Sequence, residues 1–148
     1  MNSPRPCWSV LLTKAQEEVN RLQLALQGLR DRMNSLQASR ERLLGLHRDY
    51  LRPPQAGDVS TGMLETLNRR QFADQIMTLI ERVDQDKAQL ERAMAQTRQR
   101  LLVAERERLK MQSLLEQDVE RVKSSSARRE QRQLDEIGTV RFNLGGRV

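Results

Sequence analysis

Apolar residues recur along most of this chain at alternating three- and four-residue spacing, and that pattern restricts the fold to packed helices. In the first half the series is Leu12, Ala15, Val19, Leu22, Leu26, Leu29, Met33, Leu36, Arg40, Leu43, His47 and Tyr50, with ten of its twelve positions apolar. In the second half it is Ala73, Ile76, Ile80, Val83, Lys87, Leu90, Met94, Thr97, Leu101, Ala104, Arg108, Met111, Leu115, Asp118 and Val122, with eleven of fifteen apolar. A 3.5-residue period sustained over several heptads keeps one narrow seam facing a partner helix. Arg40, His47, Lys87, Arg108 and Asp118 interrupt the seam and weaken it, either to fix register or to keep the pairing adjustable.

Pro and Gly divide the chain at three places: Pro4 and Pro6; Pro53, Pro54, Gly57 and Gly62; and Gly138, Gly145 and Gly146. The segments between them lack Pro and are rich in Leu, Gln, Arg, Glu and Ala, which lose little on entering a helix. The expected fold is all-α: a long two-helix antiparallel coiled-coil hairpin with a longer second helix. Its parts are a flexible N-terminus (1–8), a first helix (9–51) capped by Ser9, a turn (52–62), a second helix (63–137) stopped by Gly138, and a flexible tail (138–148). If the helix ends align at the turn, residue i faces a residue near 114 minus i, and Leu12 meets about Leu102. The paired part is then about 60 Å long, with up to about 50 Å of single helix beyond it.

Only 37% of the 148 residues are apolar and 3% aromatic, too little bulky volume for a layered globular core but enough for a two-helix seam. The net charge is +6, and residues 121–132 hold five bases (Arg121, Lys123, Arg128, Arg129, Arg132) against Glu130. That cluster lacks the interleaved aromatics or recognised motif of a nucleic-acid binder, so no nucleic-acid partner is expected. Cys7 stands alone, which excludes a disulfide framework. The first residues have no secretory apolar region and no segment is long enough to cross a membrane, so a cytoplasmic protein without membrane insertion is expected.

Catalytic constellations are missing. His47 is the only histidine and falls on the seam, and no phosphate-binding glycine loop or metalloprotease motif occurs. Carboxylates sit beside bases at helical spacing, such as Glu17 with Arg21 and Glu116 and Glu120 with Arg121, and read as a solvated face. No enzyme activity, metal or cofactor is expected. Large apolar residues off the seam are more informative. With Ala73 and Ile80 at heptad position a, Phe72 and Leu79 occupy g, as does Leu46 in the first helix, and g edges face each other in an antiparallel pair. Leu46, Phe72 and Leu79 therefore line one side of the hairpin near its turn, either as an exposed binding stripe or as a broadening of the core.

Several short motifs then point to a family. The Ala15-Gln16-Glu17-Glu18-Val19 run, Tyr50 ending the first helix, Asn68-Arg69-Arg70-Gln71-Phe72 opening the second, and Arg128-Arg129-Glu130-Gln131 followed by Leu134-Asp135-Glu136 resemble the flagellar FliJ family. These are stalk and escort proteins of the flagellar type III export apparatus. The resemblance implies a fold like the stalk subunit of rotary ATPases, inserted by its joined ends into a hexameric export ATPase. Contacts with that ring would fall to Val19, Leu22, Leu26, Arg106, Leu109, Arg121, Arg128 and Arg129. It also implies that the turn-proximal part binds the cytoplasmic domain of an export-gate membrane protein through Leu43, Leu46, Tyr50, Phe72, Ile76, Leu79 and Val83. Export chaperones are further implied partners. The chain would be monomeric in isolation and peripherally associated with the apparatus at the inner membrane. The alternatives are the equivalent stalk of a virulence injectisome, a basic coiled coil binding nucleic acid or an anionic surface, and a scaffold that dimerises into a four-helix bundle.

Overall fold

The computed structural model describes residues 3–52 and 62–146. They form two antiparallel helices, α1 (Pro6–Leu51, 46 residues) and α2 (Met63–Gly145, 83 residues), with no strand among the described residues. Most of the expected turn, with Pro53, Pro54 and Gly57, lies outside the described residues. The chain divides into two units, Leu22–Arg100 on one hand and Met1–Arg21 with Leu101–Val148 on the other, each containing a stretch of both helices.

In the 22–100 unit the core consists of Leu22, Leu26, Ala73, Ile76, Ile80, Leu90 and Met94, all of them seam positions. Burying one such Leu or Ile contributes about 1.5–3 kcal/mol, more than the few tenths that separate ordinary residues in helix propensity, so the seam decides the packing. Its polar interruptions find partners on the opposite helix. Arg40 Nε donates to Asp84 Oδ1 at 2.7 Å, and Lys87 Nζ donates to Gln37 Oε1 at 2.6 Å. These bonds add little stability at a half-exposed seam, but a one-heptad slip would strand both cations, so they fix register.

The pairs Arg40 with Asp84, Gln37 with Lys87 and Tyr50 with Phe72 set that register: residue i lies opposite about 123 minus i, not 114 minus i. The helices align their apolar seams and not their ends. The first two turns of α2 place Thr66 and Arg69 at a and d, which gives α1 nothing apolar to bury, and the apolar seam of α2 starts only at Ala73. Met63, Leu64 and Leu67 in those turns are exposed.

In the terminal unit, α1 begins at Pro6, three residues before the expected cap Ser9. Proline suits a first helical position because it has no N–H to leave unpaired there. Ser9 Oγ instead donates to the Pro6 carbonyl at 2.9 Å. The first turn of α1 contains no acid, and α2 supplies one. The Arg5 backbone N–H donates to Asp118 Oδ2 at 2.6 Å, while Arg121 Nη2 and Nε donate to Asp118 Oδ1 at 2.8 and 3.2 Å. Asp118 thus satisfies the positive end of α1 from across the seam. The Arg5 N–H first, and then the Arg121 side chain, hold its carboxyl below the usual aspartate value.

The contact between Arg5 and Asp118 also corrects the expected extent of pairing. Coverage of α2 does not end near Leu102; Met111, Leu115 and Val122 are half-buried, and residues from 126 to 146 are all exposed. α2 passes through Gly138, where Thr139 Oγ1 donates back to the Asp135 carbonyl, and ends at the Gly145-Gly146 pair. Val140, Phe142 and Leu144 are therefore helical.

Two stability predictions follow from this unit. Asp118→Asn should lower the melting midpoint at neutral pH, and its deficit relative to the parent should close as pH falls below the ordinary aspartate value of 3.8. A carboxyl with a depressed pKa contributes stability that is complete above its unfolded value and lost as pH falls through its folded value. Melting curves at stepped pH test this; a deficit independent of pH would mean that the charge contributes nothing. Ending the chain after Ser125 should leave the midpoint within the few degrees that about 1 kcal/mol represents, because everything removed is exposed. A collapse of the midpoint would mean that the removed segment packs against α1.

Candidate protein-docking surfaces

The g edge of the 22–100 unit is a surface, which decides between the two readings of its off-seam residues. Leu46 is 47% exposed, Phe72 54% and Leu79 46%. Tyr50, expected on the seam, sits at its margin with 36% exposure, its ring stacked on Phe72 with centroids 5.6 Å apart and planes 11° from parallel. Stacking of this kind contributes about 0.5–1.5 kcal/mol and holds both rings in place before any partner arrives. Of the other expected gate contacts, Leu43 and Val83 are half-buried and Ile76 is buried in the seam. The structure therefore brings Leu46, Tyr50, Phe72 and Leu79 to the surface as apolar groups and keeps Ile76 inside.

Leu51, Met63, Leu64 and Leu67 are also exposed in this unit. Sequence reasoning passed over them. Apolar residues at the e, f and b positions 63, 64 and 67 were the available signal, and the end-to-end alignment of the helices hid it by assigning that stretch to the paired seam.

The expected ring contacts divide in the same way. Leu22 and Leu26 in the 22–100 unit and Val19 in the terminal unit are buried core, so they meet a partner only if the helices part. In the terminal unit Arg106 and Leu109 are exposed, joined by Leu102 and Val103, which the sequence reading did not single out. Arg121, Arg128 and Arg129 are exposed and, with Ser124, Ser125 and Arg132, line one surface hollow of α2. Among the described residues, no salt bridge involves Arg128, Arg129 or Arg132, whereas Arg121 is tied to Asp118. The expected pairing of Arg21 with Glu17 is replaced by a two-point bond to Glu18, at 2.6 and 2.9 Å.

His47 is half-buried and Cys7 exposed, and no group of three or more metal-binding side chains occurs among the described residues. None of the described helices is long and apolar enough to cross a membrane. What the fold presents is an antiparallel coiled coil with a stacked aromatic edge on one unit and a cationic face on the other, the anatomy of a protein-docking component. A family profile described as "Flagellar FliJ protein" matches residues 9–147, and the chain belongs to the FliJ family. Membership makes it a stalk component of flagellar type III protein export, from a family whose role is structural and escorting, without enzymatic activity. Comparison with curated proteins and with solved structures finds no match.

Proposed function

We propose that this chain is a non-enzymatic stalk and escort that contacts two partners of the flagellar export apparatus. The terminal unit docks into the hexameric export ATPase, and the Leu46, Tyr50, Phe72 and Leu79 edge docks on the cytoplasmic domain of the export-gate protein. The chain is a cytoplasmic monomer when free, collected at the inner membrane by these contacts, and export chaperones are further partners of the escort role.

The observation that carries this reading is the exposed Tyr50–Phe72 stack flanked by two exposed leucines. Aromatic anchors with an apolar surround are the residues that dominate protein interfaces, and leaving such a group in water has no folding rationale when the seam is already complete. The ring contact draws on the exposed Arg106, Leu109, Arg128 and Arg129, whose mixed chemistry suits a partly polar ring interior. Capture experiments with the purified ATPase and the purified gate domain test the two contacts separately. Both are expected to bind the intact chain at near-physiological salt; failure of both removes the stalk reading.

A further inference from the structure

The helix-facing side of α2 changes chemistry where α1 ends. From residue 101 onward its a and d positions are Leu101, Ala104, Arg108, Met111, Leu115, Asp118 and Val122, all buried or half-buried. The next three on the same face are Ser125, Arg129 and Arg132, and the g positions beside them are Arg121 and Arg128. α2 runs through unbroken, so this face stays in line with the one that α1 covers. Its arginines lie beyond Asp118, which meets the start of α1 at Arg5.

We infer that this arginine face of α2 is a docking strip for an acidic α-helix of a partner protein, laid where α1 would continue. The inference rests on the docking reading of the terminal unit and adds the chemistry of what docks there. An apolar helix on this strip would strand four guanidiniums, and a basic one would be repelled. A helix with carboxylates at a, d and g pairs with them, because g edges face each other in an antiparallel pair and guanidinium matches carboxylate two bonds at a time. The last covered layer already contains such a contact, Arg121 on Asp118 at 2.8 Å. The strip is about 18 Å long, three helical turns.

Other polyanions fit less well. Nothing aromatic stands between the arginines for bases to stack on. The exposed apolar residues Leu134, Ile137, Val140 and Leu144 lie roughly 140° around the helix from the arginines, so a bilayer that took up that stripe would turn the guanidiniums away from its headgroups.

The test uses the intact chain and a helical peptide of about three heptads with Glu at every a, d and g position and Ala or Gln elsewhere. Titration should give saturable binding to this peptide, none to the Gln-for-Glu version, and at least about a tenfold loss with the triple variant Arg128→Glu, Arg129→Glu, Arg132→Glu. The triple variant should in turn bind the Lys-for-Glu peptide. Because these residues are exposed, circular dichroism of the variant should match the parent. Parent and variant binding the Glu peptide equally overturns the inference, as does tighter binding of the parent to phosphatidylglycerol vesicles or duplex DNA than to the Glu peptide. A parallel titration with the export ATPase separates the two readings. An ATPase that never binds removes the ring contact and leaves the peptide result to judge the strip, whereas an ATPase that binds parent and triple variant alike removes the strip alone.

Discussion

Phe72→Ala combined with Leu79→Ala should weaken binding to the gate domain by about thirtyfold while the melting midpoint moves only slightly. Both side chains are about half exposed, so truncation gives up little buried area, and alanine is the best helix former available for the replaced positions. The one intramolecular loss is the stack with Tyr50, about 0.5–1.5 kcal/mol at most. In a complex the same side chains become fully buried, and an aromatic anchor removed from a partner pocket commonly costs about 2 kcal/mol or more. Tyr50→Ala should reproduce part of the affinity loss with Phe72 still present, since the remaining ring is no longer held. Calorimetric titration beside thermal melts compares the two quantities. A large midpoint drop with unchanged affinity would return this edge to the core and end the gate-docking proposal.

The seam was fully legible in the sequence because a 3.5-residue period is a local property. Every position of the second-helix series from Ala73 to Val122 is buried or half-buried, including the polar Lys87, Arg108 and Asp118. Register was not legible, because it depends on which end of each helix is worth covering. Thr66 and Arg69 at seam positions were visible in advance, yet the turn invited an end-to-end alignment. The difference of about nine residues moved Tyr50 from facing Leu64 to stacking on Phe72.

The same shift explains what was misjudged at the other end. Asp118 looked like a seam defect on an overhanging helix; it is the acid that α1 lacks in its own first turn, supplied across the seam to the Arg5 N–H. A trans-helix cap leaves no local signature, since its two halves lie over a hundred residues apart in the chain. Helix ends were the weakest part of the reading for a similar reason. Ser9 and Gly138 have the right chemistry for caps, but Pro6 already starts α1 and nothing packs at Gly138 to favour a stop. Of the docking residues, those off the seam were legible and those on it were not, because Val19, Leu22, Leu26 and Ile76 serve the fold first.

Leu26→Lys should produce the largest loss of stability of any single change considered for this chain, about 3–5 kcal/mol and a midpoint lower by about 10 °C or more. Leu26 is 6% exposed, and losing its burial alone costs about 1.5–3 kcal/mol. The ammonium group adds a desolvation cost, reduced to the extent that the lysine stem can carry it to the seam margin. Cations elsewhere in this unit show what tolerance requires: Arg40 has Asp84, and Lys87 has Gln37. At the Leu26 layer the register brings in Thr97, whose hydroxyl already donates to the Ala93 carbonyl at 2.8 Å, with Met94 buried beside it and no carboxylate on the seam. Leu24→Lys is the control, two residues away on the solvent side and 75% exposed, and it should leave the midpoint unchanged. Leu26→Met, which keeps volume and polarity, should cost less than about 1.5 kcal/mol. If Leu26→Lys melts with Leu24→Lys, the seam does not hold these helices together and the assigned core is wrong.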